Sequence, residues 1–266
     1  MRKIISITDW NSDELSRERF RTVAEGYSVN RKDIRIQTLT STISSIHAGF
    51  LAYEMALTEA KNGDPTDTVV YVDVDSSHES FDDDLTERAH CFAVIRLTNN
   101  LLVCGLLSGY SFAWMKSSAQ QYLEYTQLPT SGLISVRDAH ARVVAHLADY
   151  MDDQLDLQSL HEADVISLPS DCHFVCHKYK QTLVTTISHA DLEDASVGDL
   201  IKMHINDQSY TARLISHQHQ ESDSELVIYK GHYGLPDAHY LEIQSRSPSV
   251  YTRLKSIIPG SKIVLG

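Results

Sequence analysis

The chain has 266 residues and a mass of 29.9 kDa, enough for one large domain or two modest ones. Its 23 Lys and Arg against 36 Asp and Glu give a formal net charge of −13, which argues against non-specific binding of nucleic acid. A hydrophobic content of 42% with a mean hydropathy of −0.24 is typical of a soluble globular protein, and no apolar run is long enough to cross a membrane.

The amino-terminal residues and the cysteines predict a cytoplasmic protein. The opening Met-Arg-Lys-Ile-Ile-Ser-Ile-Thr-Asp has no apolar core or cleavage site of a signal peptide. Four cysteines in a chain of this length are too few for a disulfide scaffold, and we expect reduced, mostly buried thiols.

The first half of the chain alternates between strand and helix patterns. Strands are predicted at 4–7, 34–39, 68–74, 91–97, 101–107 and 132–136, and helices at 15–27, 46–60 and 137–150. Asn99-Asn100 supplies a turn between two of the strands. This alternation predicts an α/β domain over residues 1–155, Rossmann-like and with a mainly parallel sheet.

The second half has a different pattern. A polar segment, 156–171, ends in Pro169-Ser170 and is predicted to be a linker. Short strands then follow at close spacing, at 174–179, 183–187, 200–205, 210–215, 226–229, 240–243 and 262–265, with a helical stretch at 249–258. Residues 172–266 are therefore predicted to form a small β-barrel.

Histidines and cysteines suggest a metal site only weakly. Cys172 and Cys176 share a strand face but would lie roughly 13 Å apart at about 3.3 Å per residue, too far for one zinc ion. His217 and His219 share a face in a polar stretch near a turn. We expect no metal ligands and no cofactor, and a metal-dependent enzyme is a remote alternative.

Carboxylates that follow strands are the better candidates for a site. Neither a glycine-rich phosphate loop nor a G-x-S-x-G elbow occurs in the chain. Asp9 follows the first strand, and Asp73 and Asp75 end the third. Ligands of open α/β sheets bind outside the carboxyl ends of the strands, although such acids are more often helix caps or solvated loop residues.

Six segments, in order along nearly the whole chain, resemble one family. Ile7-Thr8-Asp9-Trp10, with Asp13 after it, is similar to I-T-D-[FL]-G, the strand 68–75 to T-V-[HF]-x-x-V-V-D, and Arg137-Asp138 to the end of F-H-G-R-D. Three later segments, 182–187, 240–243 and 259–264, are similar to G-N-L-V-T-N-I, G-Y-L-E-I and a final G-D-x-V strand. The family is the S-adenosylmethionine hydroxide adenosyltransferases, related to fluorinase and chlorinase.

The resemblance implies an α/β domain followed by a β-barrel, and a reaction in which hydroxide or halide attacks C5′ of S-adenosylmethionine. Asp9 then matches the aspartate that binds the ribose, Asp75 the catalytic aspartate, and Arg88 the catalytic arginine if 81–85 is an insertion. The other ligand-binding positions fall on Asp13, Thr182, Asp237 and Tyr240.

Several positions depart from the family pattern. The catalytic histidine falls on Ser135, so that Ser135 itself, His78 or His140 would take its place. A serine hydroxyl does not titrate near pH 7 as an imidazole does. Two hypotheses stay open: an enzyme that hydrolyses S-adenosylmethionine to adenosine and methionine, and a non-catalytic relative that binds an adenosine-like ligand or serves as an interaction protein.

The same resemblance implies a homotrimer. In the family, each site lies between the α/β domain of one chain and the barrel of the next. A heterologous contact of this kind closes into a ring.

Overall fold

The structure is a computed structural model that describes residues 2–10, 13–29, 33–74, 91–127, 135–192, 195–206, 208–218, 224–235 and 238–266. The chain divides into two compact units, 1–168 and 169–266. The first is an α/β unit with a seven-stranded sheet, and the second is a closed seven-stranded barrel. No helix among these residues is long and apolar enough to span a membrane.

The sheet of the first unit has the strand order β2-β1-β3-β5-β4-β6-β7. The elements in chain order are β1 (Arg2–Thr8), α1 (Glu14–Tyr27), β2 (Ile34–Thr40), α2 (Ser45–Asn62), β3 (Thr68–Asp73), β4 (Phe92–Leu97), β5 (Leu102–Leu106), β6 (Ala119–Tyr125), α3 (Val136–Ala148) and β7 (Leu157–Ser159). Strand β3 is an interior strand of this sheet and is buried at every residue, as its β-branched sequence predicts.

The expectation of a mainly parallel sheet is only partly met. β2, β1, β3 and β5 are parallel, but β5 pairs with β4, β4 with β6, and β6 with β7 in antiparallel fashion. Half of the neighbouring pairs are therefore antiparallel. The sheet is mixed, because the turn at Asn99-Asn100 makes a β4–β5 hairpin, and a Rossmann-like arrangement is not confirmed.

Three local expectations differ from the structure. The strand predicted at 132–136 falls partly outside the described residues, and at its end Ser135 caps α3, which begins at Val136. Strand β6 was not predicted, because its half-exposed, polar sequence lacks a strand pattern. The segment 156–171, predicted as a linker, contributes the edge strand β7, and the first unit extends to Leu168.

Helices cover the two faces of the sheet. Helix α1 packs on α3, and both contact a cluster that includes Ile4, Val69 and Tyr71. Helix α2 packs on β1 and β3. The crossovers β1-α1-β2 and β2-α2-β3 run in opposite directions along the sheet, so right-handed connections place α1 and α2 on opposite faces.

The barrel of the second unit has the strand order β10-β11-β12-β13-β9-β8-β14 and closes by the pairing of β14 with β10. Its elements are β8 (His173–Tyr179), β9 (Thr182–Ser188), β10 (Leu200–Ile205), β11 (Gln208–Leu214), β12 (Leu226–Leu235), β13 (Ala238–Ser245), α4 (Pro248–Leu254) and β14 (Lys262–Leu265). Alternate residues such as Leu183, Leu241 and Ile243 form its core.

Candidate functional site

The carboxyl ends of β1 and β3 form the point at which the strand order of the sheet reverses. From β1 the chain crosses to β2 on one side and then returns to β3 on the other. The last residues of the two strands, Thr8 and Asp73, are paired in the parallel register, and Asp9 follows Thr8. In open α/β sheets such a switch point leaves a crevice in which ligands bind. The geometry therefore selects the strand ends that bear Asp9 and Asp73.

A buried hydrogen-bonded network joins β3 to α3 beside this crevice. The hydroxyl of Tyr71 donates to Oδ2 of Asp73 at 3.0 Å, and its oxygen lies 3.0 Å from Nδ1 of His140. Because a tyrosine hydroxyl has a single proton and gives it to Asp73, Nδ1 of His140 must donate to the tyrosine oxygen. In the neutral form of this imidazole, the lone pair is then on Nε2.

Burial fixes the protonation of this network. Burial, and to a smaller extent the charge of Arg137, lowers the pKa of His140 to about 4. Burial, followed by the charge of Asp73, raises the pKa of Tyr71 well above its usual value. At neutral pH the network thus contains a neutral imidazole and a protonated phenol. His140 cannot replace the family histidine as an imidazolium.

Three buried polar atoms around the network have no hydrogen-bond partner among the described residues: Ser6 Oγ, Trp10 Nε1 and His140 Nε2. Ser6 is paired with Tyr71 across the β1–β3 ladder. The Trp10 ring lies 5.9 Å from that of Phe20, which stacks on Tyr71 at 4.9 Å. Buried polar atoms in native proteins nearly always have a protein, water or ligand partner. Three such atoms in one neighbourhood indicate a place for water or a ligand.

The predicted residues Asp13 and Ser135 are helix caps in the structure. Asp13 accepts hydrogen bonds from the backbone and the hydroxyl of Ser16 at the start of α1, and lies 3.7 Å from Arg137. Ser135 accepts from the backbone N–H of Asp138 at 3.2 Å at the start of α3. Both side chains hold helix ends at the same side of the sheet as Asp9.

Further contacts join the two capped helices. Asp138 accepts two hydrogen bonds from Arg19, at 2.8 and 2.6 Å, and Arg137 donates to Ser16 and lies over the Trp10 ring at 4.8 Å. These contacts fix α1 against α3, and with them the wall of the crevice.

Asp75, Arg88 and Asp237, together with His78, lie outside the described residues. The two catalytic positions Asp75 and Arg88 thus remain predictions from the resemblance. Asp75 is nevertheless only two residues beyond Asp73, which ends β3.

Thr182 and Tyr240 belong to the barrel, where Thr182 adjoins a polar cluster that sequence reasoning missed. The carboxylate of Glu242 is fully buried and accepts from the hydroxyls of Tyr179 at 2.6 Å and Tyr229 at 3.0 Å, and from the backbone N–H of His232 at 3.0 Å. Burial and the contact with Glu242 raise the pKa of both tyrosines, and Thr182 opposes this rise.

Sequence patterns gave little sign of Tyr71 or Glu242. Each occupies an ordinary position in a strand, and an aromatic residue in a strand is usually core. The one available sign for Glu242 is an acid in the β13 sequence, flanked on both sides by buried Leu241 and Ile243.

No group of three or more potential metal ligands occurs among the described residues. The four cysteines are free thiols, of which Cys104, Cys172 and Cys176 are buried.

Comparison with known proteins supports the fold. No protein family model matches the chain, and no curated protein matches it. A structure described as an uncharacterized conserved protein from Thermotoga maritima is similar with a TM-score of 0.65 and 16% identity, over 98% of this chain and 99% of that one. A conserved hypothetical protein from Thermus thermophilus gives 0.61 and 15%, over 100% of both chains. At these identities the likeness extends to the two-unit fold alone.

Proposed function

We propose that this chain binds S-adenosylmethionine at the carboxyl ends of β1 and β3 and hydrolyses it to adenosine and methionine. The observation on which the proposal depends is the position of Asp9 at the switch point, where the resemblance independently assigns the ribose-binding aspartate. The two oxygens of a carboxylate can each accept a hydrogen bond from one ribose hydroxyl, and this fixes the position of the sugar at the strand ends.

The proposed reaction needs no cofactor. A water molecule loses a proton, its oxygen forms a bond to C5′, and the C5′–S bond breaks with its electron pair going to sulfur. Methionine leaves as a neutral thioether, so the sulfonium charge is cancelled and one proton is released. Holding the hydroxide in line with the sulfonium would supply most of the rate enhancement.

Residues of the described network would act in this proposal as positioning residues. Tyr71 and His140 hold Asp73 at the end of β3, and Asp75 follows two residues later. Asp75 and Arg88, by resemblance, would hold the hydroxide. Ser135 would contribute no proton transfer, because its hydroxyl oxygen accepts the α3 cap hydrogen bond and does not titrate near pH 7.

The experiment is to incubate the protein with S-adenosylmethionine in water enriched in oxygen-18 and to separate the products by chromatography. We expect adenosine with the heavy oxygen at the 5′ position, together with methionine. Asp75→Asn should abolish product, whereas Asp33→Asn, an equivalent change at the amino end of β2, should leave the rate unchanged. If a high concentration of the unmodified protein forms no adenosine from S-adenosylmethionine, the hydrolase proposal is contradicted.

A second function, ligand binding without turnover, is favoured by the site of Ser135. The position that bears the catalytic histidine in the family here caps a helix, and the imidazole of His140, farther along the same helix, is fully buried and neutral at pH 7. In this case adenosine would raise the melting temperature, and at an adenosine concentration about a thousand times its Kd the stabilisation would be about 4 kcal/mol. No product would form from S-adenosylmethionine.

We also propose that the chain assembles as a homotrimer, on the resemblance alone. Light scattering should then give a mass near three chains. A monomer at micromolar concentration would contradict this assembly.

A further inference from the structure

A cavity of about 300 Å3 lies in the first unit between α3, the carboxyl end of α1 and the end of β6. Four of its lining residues, Ala139, Arg142, Val143 and His146, recur at helical spacing along one face of α3. The remaining lining residues are Tyr27, Tyr125, Gln127 and Leu155. The volume is within the range of small-molecule sites, and the lining combines apolar walls with a few polar groups.

Arg142 differs from four other arginines of the first unit. Arg2, Arg19, Arg96 and Arg137 each lie within 4 Å of a carboxylate, with partners Asp149, Asp138, Asp152 and Asp13. Within the part of the chain that the structure describes, Arg142 has no such carboxylate.

The contact that Arg142 does make is with an aromatic ring. Its guanidinium lies over the Tyr27 ring at 4.3 Å from the centroid. Stacking of this kind holds the guanidinium in place while its N–H groups remain available to an anion.

Two residues that line the cavity each have a buried polar atom with unused hydrogen-bonding capacity. Nε of Arg142 and Nδ1 of His146 have no hydrogen-bond partner among the described residues. The two residues are four apart on α3, so their side chains are neighbours on its surface. A carboxylate has two oxygens and can bind a guanidinium together with a second donor, here His146 in the tautomer that carries its proton on Nδ1.

We propose that this cavity binds a small organic acid, with its carboxylate on Arg142 and His146 and an aromatic or aliphatic body against Tyr27, Tyr125 and Leu155. The charge of Arg142 selects an anion, and the apolar walls select an acid with an apolar body over inorganic phosphate. The site is distinct from the strand ends with Asp9 and Asp73, so it would serve as a second ligand site whether or not the chain is a hydrolase.

The experiment compares acids with their amides on the unmodified protein by calorimetry and ligand-observed NMR. The probes are phenylacetate against phenylacetamide and indole-3-acetate against indole-3-acetamide, with inorganic phosphate as a further probe. We expect the acids to bind at least about tenfold more tightly than the amides, because a hydrogen bond to a charged group is lost in the amide. Phosphate alone should not bind.

Variants locate the site. Arg142→Met should weaken binding of the acids by about tenfold or more. Arg35→Met, an equivalent change at an exposed residue of β2, should leave it unchanged within about twofold. Any of four results would overturn the proposal. The acids and amides could bind equally well, inorganic phosphate could bind, or no acid could bind at millimolar concentration. The fourth is an unchanged affinity of the acids for Arg142→Met. Since the acid–amide comparison uses the unmodified chain, it holds even if Arg142→Met fails to fold.

Discussion

The hydroxyl of Tyr71 lies 3.0 Å from Nδ1 of His140, a contact between residues 69 apart in the sequence and buried between β3 and α3. The same hydroxyl donates to Asp73, so that a single phenol connects an acid at the end of a central strand to an imidazole on a helix. Removal of this hydroxyl would leave the two buried polar groups, Asp73 and His140, without their shared partner.

Tyr71→Phe should therefore destabilise the first unit by about 1–3 kcal/mol. The ring, and with it the stacking on Phe20, is retained, so the loss reports the hydroxyl. The change in the free energy of unfolding is measured by urea denaturation monitored by circular dichroism. Tyr150→Phe, which removes an exposed hydroxyl bonded to Asp67, should cost less than about 1 kcal/mol. Equal losses of unfolding free energy in the two variants would contradict a stabilising role for the buried Tyr71 hydroxyl beyond that of an exposed one.

His140 should make stability depend on pH between about 4 and 6.5. Burial lowers the folded pKa to about 4, whereas the ordinary value is 6.5. Between these values the unfolded chain binds more protons, so stability is full above pH 6.5 and falls as the pH is lowered to about 4. The total loss is about 3 kcal/mol.

The difference in unfolding free energy between the unmodified protein and His140→Asn, measured across this pH range, isolates the effect of His140. The curve of His140→Asn should be flatter, and that of His204→Asn, an exposed residue of β10, should be the same as the original. A His140→Asn curve parallel to the original would mean that His140 titrates normally in the folded protein.

Gly105 in β5 cannot accept a side chain. Its φ is +150°, and a Cβ there would lie 1.9 Å from the carbonyl oxygen of Val72 in β3. Gly105→Ala should cost more than about 2 kcal/mol or prevent folding, because two paired central strands would have to separate. Gly26→Ala in α1, where a Cβ meets nothing within 4 Å, should instead stabilise by about 0.5–1 kcal/mol. A tolerated Gly105→Ala would contradict the β3–β5 pairing.

Much of the fold follows from local sequence, and the exceptions have physical reasons. β3 is a run of β-branched residues and was predicted at nearly its observed bounds. β6 was missed because an edge-side strand with exposed Gln120 and Gln121 has no apolar alternation. The antiparallel half of the sheet was missed because strand direction depends on pairing and not on composition.

The site was predictable only where position along the chain carries information. Asp9 is a candidate because it follows a buried strand, and its contact with a ligand stays a prediction. The contact of Tyr71 with His140 and that of Tyr179 with Glu242 join segments 69 and 63 residues apart and leave no local pattern. The contacts of Glu242 with Tyr229 and His232 are between neighbouring strands, and they too follow no sequence motif. Asp13 and Ser135 were assigned to the ligand and the chemistry, but in the structure each caps a helix, the commoner role of such residues.

Glu242→Gln should destabilise the barrel by about 2–4 kcal/mol, because Oε2 accepts from both Tyr179 and Tyr229 while Oε1 accepts from the backbone of His232, and an amide has one oxygen for three donors. Glu225→Gln, at an exposed residue, should change stability by less than about 0.5 kcal/mol. Thermal unfolding measures both. A loss in Glu242→Gln no larger than in Glu225→Gln would contradict the role of this carboxylate.

The most direct test of a ligand site at the switch point is the affinity for S-adenosylmethionine and adenosine, measured by calorimetry on the unmodified protein, Asp9→Asn and Asp33→Asn. We predict binding of at least one of the two ligands and a loss of about 1.5–3 kcal/mol in Asp9→Asn, because the amide replaces one acceptor oxygen by a donor. Asp33→Asn, at the opposite end of the sheet, should bind as the unmodified protein does. Absence of binding to the unmodified protein, or equal affinity in Asp9→Asn, would contradict the assignment of Asp9 to the ribose.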